Sequence, residues 1–272
     1  MSRCVLLILL VLLSSVARLA HAATDLSYGA DPRQTMAVYL PPHPRDAPII
    51  VMVHGGAWMF GDKDNPGLAE PKAGHWSASG AIFVAINYRM LPQAGPLAQA
   101  QDVAVALAYV QRHAREWHGD PSRIVLMGHS AGAHLVSLLA VAPSLTRAAG
   151  VQPWLATVSL DSGAVDVPGI MNNPHARFYD RVFGNDPVAW ATVSPYDRMA
   201  AAPAAPMFMV CSSERRESCP ANERFVAKAR QLGGKADVLP VPLSHMDINR
   251  TLGAQNTYTD QIDAWLKKNA GI

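Results

Sequence analysis

The sequence predicts one α/β domain, a doubly wound, mostly parallel sheet with helices on both faces. Three observations predict it. Short apolar runs rich in β-branched residues are continuous rather than alternating, as strands covered on both faces must be. They alternate with longer segments whose apolar residues recur at helical spacing. No repeat, low-complexity tract or long linker divides the chain.

Taken in order, Pro48–His54 and Gly80–Asn87 read as buried strands. Pro96–Glu116 reads as a helix, because Val103, Leu107 and Val110 fall on one face. Arg123–Met127 is a strand and Ala131–Ala142, rich in Ala, Leu and Val, a helix. Leu155–Leu160 and Met207–Cys211 are two further strands. Ala221–Leu232 is a helix, Ala236–Val241 a strand, and Thr257–Asn269 a closing helix. Residues 162–195 break this rhythm with Asn172-Asn173-Pro174 and scattered aromatics. They are expected to form a short lid-like insertion over the carboxyl edge of the sheet, where such sheets bind ligands.

The first 22 residues read as a signal peptide. Arg3 precedes the apolar run Val5–Leu13, and Ala20-His21-Ala22 has the small-x-small form of a cleavage site. That run is too short to span a bilayer, so export to the periplasm or medium is expected rather than a membrane anchor. Cys4 lies before the apolar run, the wrong place for lipid attachment at the cleavage site. About 250 residues then remain for the folded domain, residues 23–272, enough for a deep core. A net charge of +2 argues against nucleic acid or an anionic membrane as the main partner. Past the signal, Cys211 and Cys219 form a close pair that an oxidising compartment turns into a disulfide.

The chemistry-bearing motif is Gly128-His129-Ser130-Ala131-Gly132, set between a predicted strand and a predicted helix. A serine on so sharp a turn projects its hydroxyl above the sheet. The first N–H groups of the following helix favour an oxyanion beside it. A second loop, His54-Gly55-Gly56-Ala57-Trp58, ends the first buried strand. Its glycines leave backbone N–H groups free to turn inward, and His54 is expected to bond into its own loop. Gly56, Ala57 and the N–H of Ala131 are the candidate oxyanion donors.

His54–Trp58, Asn87-Tyr88-Arg89 and Gly128–Gly132, in this order, resemble the α/β-hydrolase carboxylesterases. The nearest groups are the hormone-sensitive-lipase-like and feruloyl-esterase-like enzymes, and the resemblance runs from about Tyr28 to the C-terminus. It implies a serine esterase working through an acyl-enzyme, with Gly56, Ala57 and Ala131 as its oxyanion hole. Ala57 stands where a third glycine is frequent. The HGGxW form is also similar to kynurenine formamidase, so an aryl-formamide substrate stays open. A catalytically inactive binding protein on the same scaffold is the third reading.

In such enzymes the base follows the last strand, which points to His245 in Leu243-Ser244-His245-Met246-Asp247. The chain order serine, acid, histidine places the acid between Ser130 and His245. The loop after Met207–Cys211 contains no aspartate, only Glu214 and Glu217. Loop length favours Glu214 and alignment on Pro220 favours Glu217. A Cys211–Cys219 ring would hold Glu217 more firmly, so Glu217 is the expected acid. Asp161 and Asp166, after an earlier strand, form a further option.

Trp58, Met59, Phe60, Met90, Leu91, Phe178 and Tyr179 are the apolar candidates for the substrate walls. The short insertion suits small, water-soluble esters better than lipid droplets. Histidine spacing suggests no metal site, and Gly55-Gly56 lacks the pattern of a phosphate loop, so no cofactor is expected.

Overall fold

The computed structural model describes residues 23–272; the predicted signal segment lies outside the described residues. The strands are β1 (Thr24–Ser27), β2 (Thr35–Tyr39), β3 (Ala47–Val53), β4 (Ile82–Ile86), β5 (Gly119–His129), β6 (Ala156–Leu160), β7 (Met207–Ser212) and β8 (Ala236–Val241). The helices are α1 (Pro66–Ala78), α2 (Pro96–His113), α3 (Ala131–Val141), α4 (Pro143–Ala149), α5 (Val167–Met171) and α6 (Phe178–Phe183). They continue with α7 (Pro187–Val193), α8 (Pro195–Arg198), α9 (Ser218–Gln231), α10 (His245–Arg250) and α11 (Thr257–Ala270).

One eight-stranded sheet runs β1-β2-β4-β3-β5-β6-β7-β8. β1 and β2 are antiparallel to their neighbours, and the pairs from β4 across to β8 are parallel. Side chains alternate across each strand, so one apolar run supplies two cores. Ile49, Val51 and Val53 pack with α2 and α3 on one face, and Ile50 and Met52 with α1 and α11 on the other. This is the predicted doubly wound α/β architecture.

The sequence reading passes over β1, β2 and α1. β1 is a short, largely exposed edge strand, so the two-sided apolar signal never develops. Helix α1 opens on Pro66 and carries Pro71 inside it, a composition that reads as a breaker. Residues 162–195 fold as α5, α6 and α7 with their connecting loops.

Strand register positions the site. Val53 pairs with Gly128, His129 with Leu160, and Leu160 with Val210. The residues just past these ends therefore emerge side by side at the carboxyl edge. Ser130 N–H donates to the Leu160 carbonyl at 3.0 Å, and Asp161 N–H to that of Val210 at 2.8 Å.

Candidate active site

Ser130 lies between β5 and α3 with φ 56° and ψ −115°, a left-handed conformation that costs a non-glycine residue about 1–3 kcal/mol. Its flanking glycines make the turn possible. A Cβ on Gly128 would lie 2.4 Å from the Gly132 carbonyl oxygen, and one on Gly132 would lie 2.2 Å from that of Val53. The chain is folded back too tightly for any side chain there. Ala131 opens α3, so its N–H has no intrahelical carbonyl to bond.

The glycine loop lies directly on this turn. A Cβ on Gly55 would meet the Ser130 Cβ at 2.9 Å, and Gly56 has φ 130°. Trp58 locks the loop from behind. It is buried, its Nε1–H donates to His134 Nδ1 at 3.1 Å, and its carbonyl accepts from the Gln99 side chain at 2.9 Å. Burial drives His134 down to about 4, so the ring is neutral and its Nε2–H donates to the Val193 carbonyl at 2.7 Å. His54 is internal to the loop, its Nδ1 2.7 Å from its own Gly55 carbonyl and its ring stacked on Tyr88. The neighbouring Asn87-Tyr88-Arg89 is a brace. Tyr88 bonds the His54 carbonyl at 3.0 Å, and Arg89 pairs with buried Asp102 at 2.6 Å.

His245 is the first residue of α10, whose start is capped by the Ser244 side chain accepting from Asp247 N–H at 3.2 Å. Its Nε2 lies 2.9 Å from Ser130 Oγ. Its Nδ1 lies 2.6 Å from an oxygen of Asp161, not of Glu217 or Glu214. Asp161 is fully buried at the end of β6, and φ 54° turns its side chain back over the edge. Burial pulls its carboxyl upward. The His245 hydrogen bond, the Arg215 charge, and donors from Ser218 and Ser212 outweigh this and hold it well below the usual carboxylate range. Asp161 is thus ionised, which puts the imidazole proton on Nδ1 and leaves Nε2 to accept from the serine.

The expected glutamates are thereby corrected. Glu214 and Glu217 are both exposed, on the loop between β7 and α9. The reason is register: β6 lies next to the serine's strand, whereas β7 is one strand further out. Asp166, the other option, caps α5 by accepting from Gly169 N–H at 2.8 Å. The sequence signal for Asp161 is a carboxylate immediately after the apolar run Ala156–Leu160.

His129, buried beneath the site, is pushed down to about 3 by burial first and by the neighbouring His245 second. Neutral, it donates Nε2–H to the His245 carbonyl at 2.9 Å and so fixes the start of α10. Cys211 and Cys219 are joined in a disulfide, their Cα atoms 5.1 Å apart.

Above the triad is a cleft of about 530 Å³, walled by Trp58, Phe60, Phe178, Tyr179 and Met246. Phe60, 66% exposed, and Met246, 43% exposed, form its rim. Met59 and Met90 are absent from its lining, contrary to expectation. Met90 instead lies 3.8 Å from the Arg33 guanidinium. Trp58 reaches the cleft only as part of its floor, since its indole N–H is spent on His134. Among the described residues no cluster of three or more His, Cys, Asp or Glu is placed to hold a metal ion.

Residues 36–162 match the BD-FAE family model. The chain is 34% identical over 161 residues to the carboxylesterase NlhH of Mycobacterium tuberculosis, covering 56% of this chain and 48% of that one. It is 44% identical over 101 residues to the probable carboxylic ester hydrolase LipM of the same organism, covering 37% of this chain and 23% of that one. The chain thus spans half or less of the length of these two relatives. Among solved structures, butyrate-bound esterase 2 of Thermogutta terrifontis superposes with a TM-score of 0.74 at 20% identity, covering 91% of this chain and 94% of that one. The sheet order and this superposition give the chain the α/β-hydrolase fold.

Proposed function

We propose that the protein hydrolyses carboxylic esters through an acyl-enzyme on Ser130. The observation that carries this reading is the continuous chain of bonds from Ser130 to His245 at 2.9 Å and from His245 to Asp161 at 2.6 Å. Ser130 Oγ attacks the ester carbonyl carbon while His245 Nε2 takes the hydroxyl proton. Asp161 stabilises the resulting imidazolium. The negative oxygen of the tetrahedral intermediate is received by the N–H groups of Gly56, Ala57 and Ala131, each such donor contributing about 3 kcal/mol to the barrier reduction. The C–O bond then breaks and the alcohol leaves with the proton from His245. Water repeats the sequence on the acyl-enzyme, releasing the acid and restoring the serine.

The cleft supports small esters with an apolar or aromatic group, held between Phe60, Phe178 and Met246. The names of the relatives, a carboxylesterase and a probable carboxylic ester hydrolase, support ester over formamide substrates. Export is supported by the leader-like first 22 residues and by the disulfide. The test is turnover of p-nitrophenyl acetate together with labelling by a fluorophosphonate probe. Both are expected in the intact protein and neither in Ser130→Ala; an intact protein that does neither would overturn the reading.

A further inference from the structure

The loop between β7 and α9 is where chain order predicts the catalytic acid. It holds donors instead. Ser212 N–H donates to Asp161 Oδ1 at 2.9 Å, and the Ser218 hydroxyl donates to the same oxygen. Arg215 Nη1 donates to Oδ2 at 2.6 Å and lies 3.4 Å from the Asp161 carbonyl oxygen. The same nitrogen is 3.1 Å from His245 Nδ1. Both ends of the loop are joined by Cys211–Cys219. The carboxylate oxygen that orients the imidazole is therefore shared between two donors, one a permanent cation.

We propose that Arg215 is a positioning residue for the ester-hydrolysing triad, fixing Asp161 against His245 from the disulfide-closed loop. The inference rests on the function proposed above. Its physical content has two parts. A guanidinium N–H and an imidazole N–H converging on Oδ2, with two donors on Oδ1, leave the carboxylate no freedom to rotate. The same guanidinium nitrogen lies 3.1 Å from His245 Nδ1, so it packs against the ring as well as the carboxylate. Other titratable groups near this centre are few. The His129 ring lies 4.7 Å from that of His245, tilted by 35°, and is neutral. Lys72 of α1 is close enough for its charge to act on His129, and Asp247 follows on α10 itself. Burial first, and the Asp161 charge after it, raise Tyr258 of α11 and Tyr179 of α6; at Tyr179 the Arg215 charge works against this and Glu217 with it. Arg215 is the cation in hydrogen-bond contact with the acid, and 32% of its side chain is exposed.

The experiment compares Arg215→Gln, Arg215→Lys and the unmodified protein on p-nitrophenyl acetate at neutral pH. Arg215→Gln should lower kcat by about ten- to a hundred-fold with KM nearly unchanged, because geometry rather than binding is lost. Arg215→Lys should restore part of kcat. It also serves if the Gln variant fails to fold. Unchanged kcat, or a loss carried wholly by KM, overturns the proposal. Absence of turnover and of probe labelling in the unmodified protein is a failure of the ester-hydrolase reading instead. The low-field proton resonance of His245 Nδ1–H then decides on Arg215: it shifts in Arg215→Gln if the residue holds the pair and stays in place if it does not.

Discussion

Trp58 and His134, 76 residues apart in sequence, meet inside the core, the indole N–H donating to His134 Nδ1 at 3.1 Å. One ring belongs to the His54–Trp58 loop, the other to α3, the helix that follows Ser130. The contact ties the two halves of the proposed oxyanion site together, since His134 is anchored at its other nitrogen to the end of α7. His134→Leu leaves a buried indole N–H without an acceptor, which costs about 1–3 kcal/mol. It should also lower kcat. A double-mutant cycle with Trp58→Phe checks this, and a coupling energy of about 0.5–3 kcal/mol is expected for residues in such contact.

The triad acid is tested by three amide substitutions. Asp161→Asn should lower kcat by about 10³–10⁴-fold, because the neutral amide no longer fixes the productive tautomer. Glu217→Gln and Glu214→Gln, both in solvent, should remain within about twofold. Steady-state kinetics at neutral pH decide it: a large loss in either glutamate variant moves the acid to the β7–α9 loop.

Lys72 carries a pH-dependent stability. Its ammonium is buried beneath α10, donates to the Asn249 carbonyl at 2.5 Å, and is pushed down by burial to about 7. In the unfolded chain it titrates near 10.5. Between these values the unfolded state binds the extra proton, so stability climbs as pH rises through this window, by up to about 1.4 kcal/mol per unit. Below the window both states are charged and the dependence vanishes. Lys72→Met should flatten the climb, as read from urea unfolding at a series of pH values from 7 to 10.

The disulfide closes a loop of eight residues' separation and should contribute about 2–3 kcal/mol. Cys211→Ser with Cys219→Ser, or the native protein in reductant, should melt lower by a corresponding margin. Because the same loop supplies three donors to Asp161, kcat should fall as well, at temperatures where the protein remains folded. Equal melting with and without reductant counts against the bond.

At the rim, Phe60 is 66% exposed and carries no group that can move a proton or meet an oxyanion, so it adds binding shared equally by ground and transition states. Phe60→Ala should raise KM for aryl esters by about 3- to 10-fold with kcat little changed. A fall in kcat with constant KM would assign it to the chemistry instead.

Much of this molecule is legible in its residues one stretch at a time. Strands β3 to β7 declare themselves because two-sided burial demands uninterrupted apolar runs, and the edge strand β8 by its shorter run Ala236–Val241. The tight turn around Ser130 follows from glycines that no side chain can replace. The meeting of His245 with that serine follows from its place after the last strand, and the cysteine pair from its spacing. Edge strand β1 and proline-bearing α1 leave no comparable mark, because neither offers a periodic apolar pattern.

What the tertiary structure alone decided is which carboxylate meets the imidazole, and which way Trp58 faces. Asp161, Glu214 and Glu217 all satisfy the same order along the chain, so linear reasoning ranks them only by loop length, by the place of Pro220 and by the cysteine ring. The sheet ranks them by distance: hydrogen bonding between β5 and β6 sets Asp161 one strand from Ser130, while the disulfide-tied loop beyond β7 leaves its glutamates in water and lends its serines and arginine to the aspartate. Trp58 likewise satisfies its indole N–H inward, on a histidine whose position no local pattern reveals, because a buried donor must find an acceptor wherever the packing supplies one.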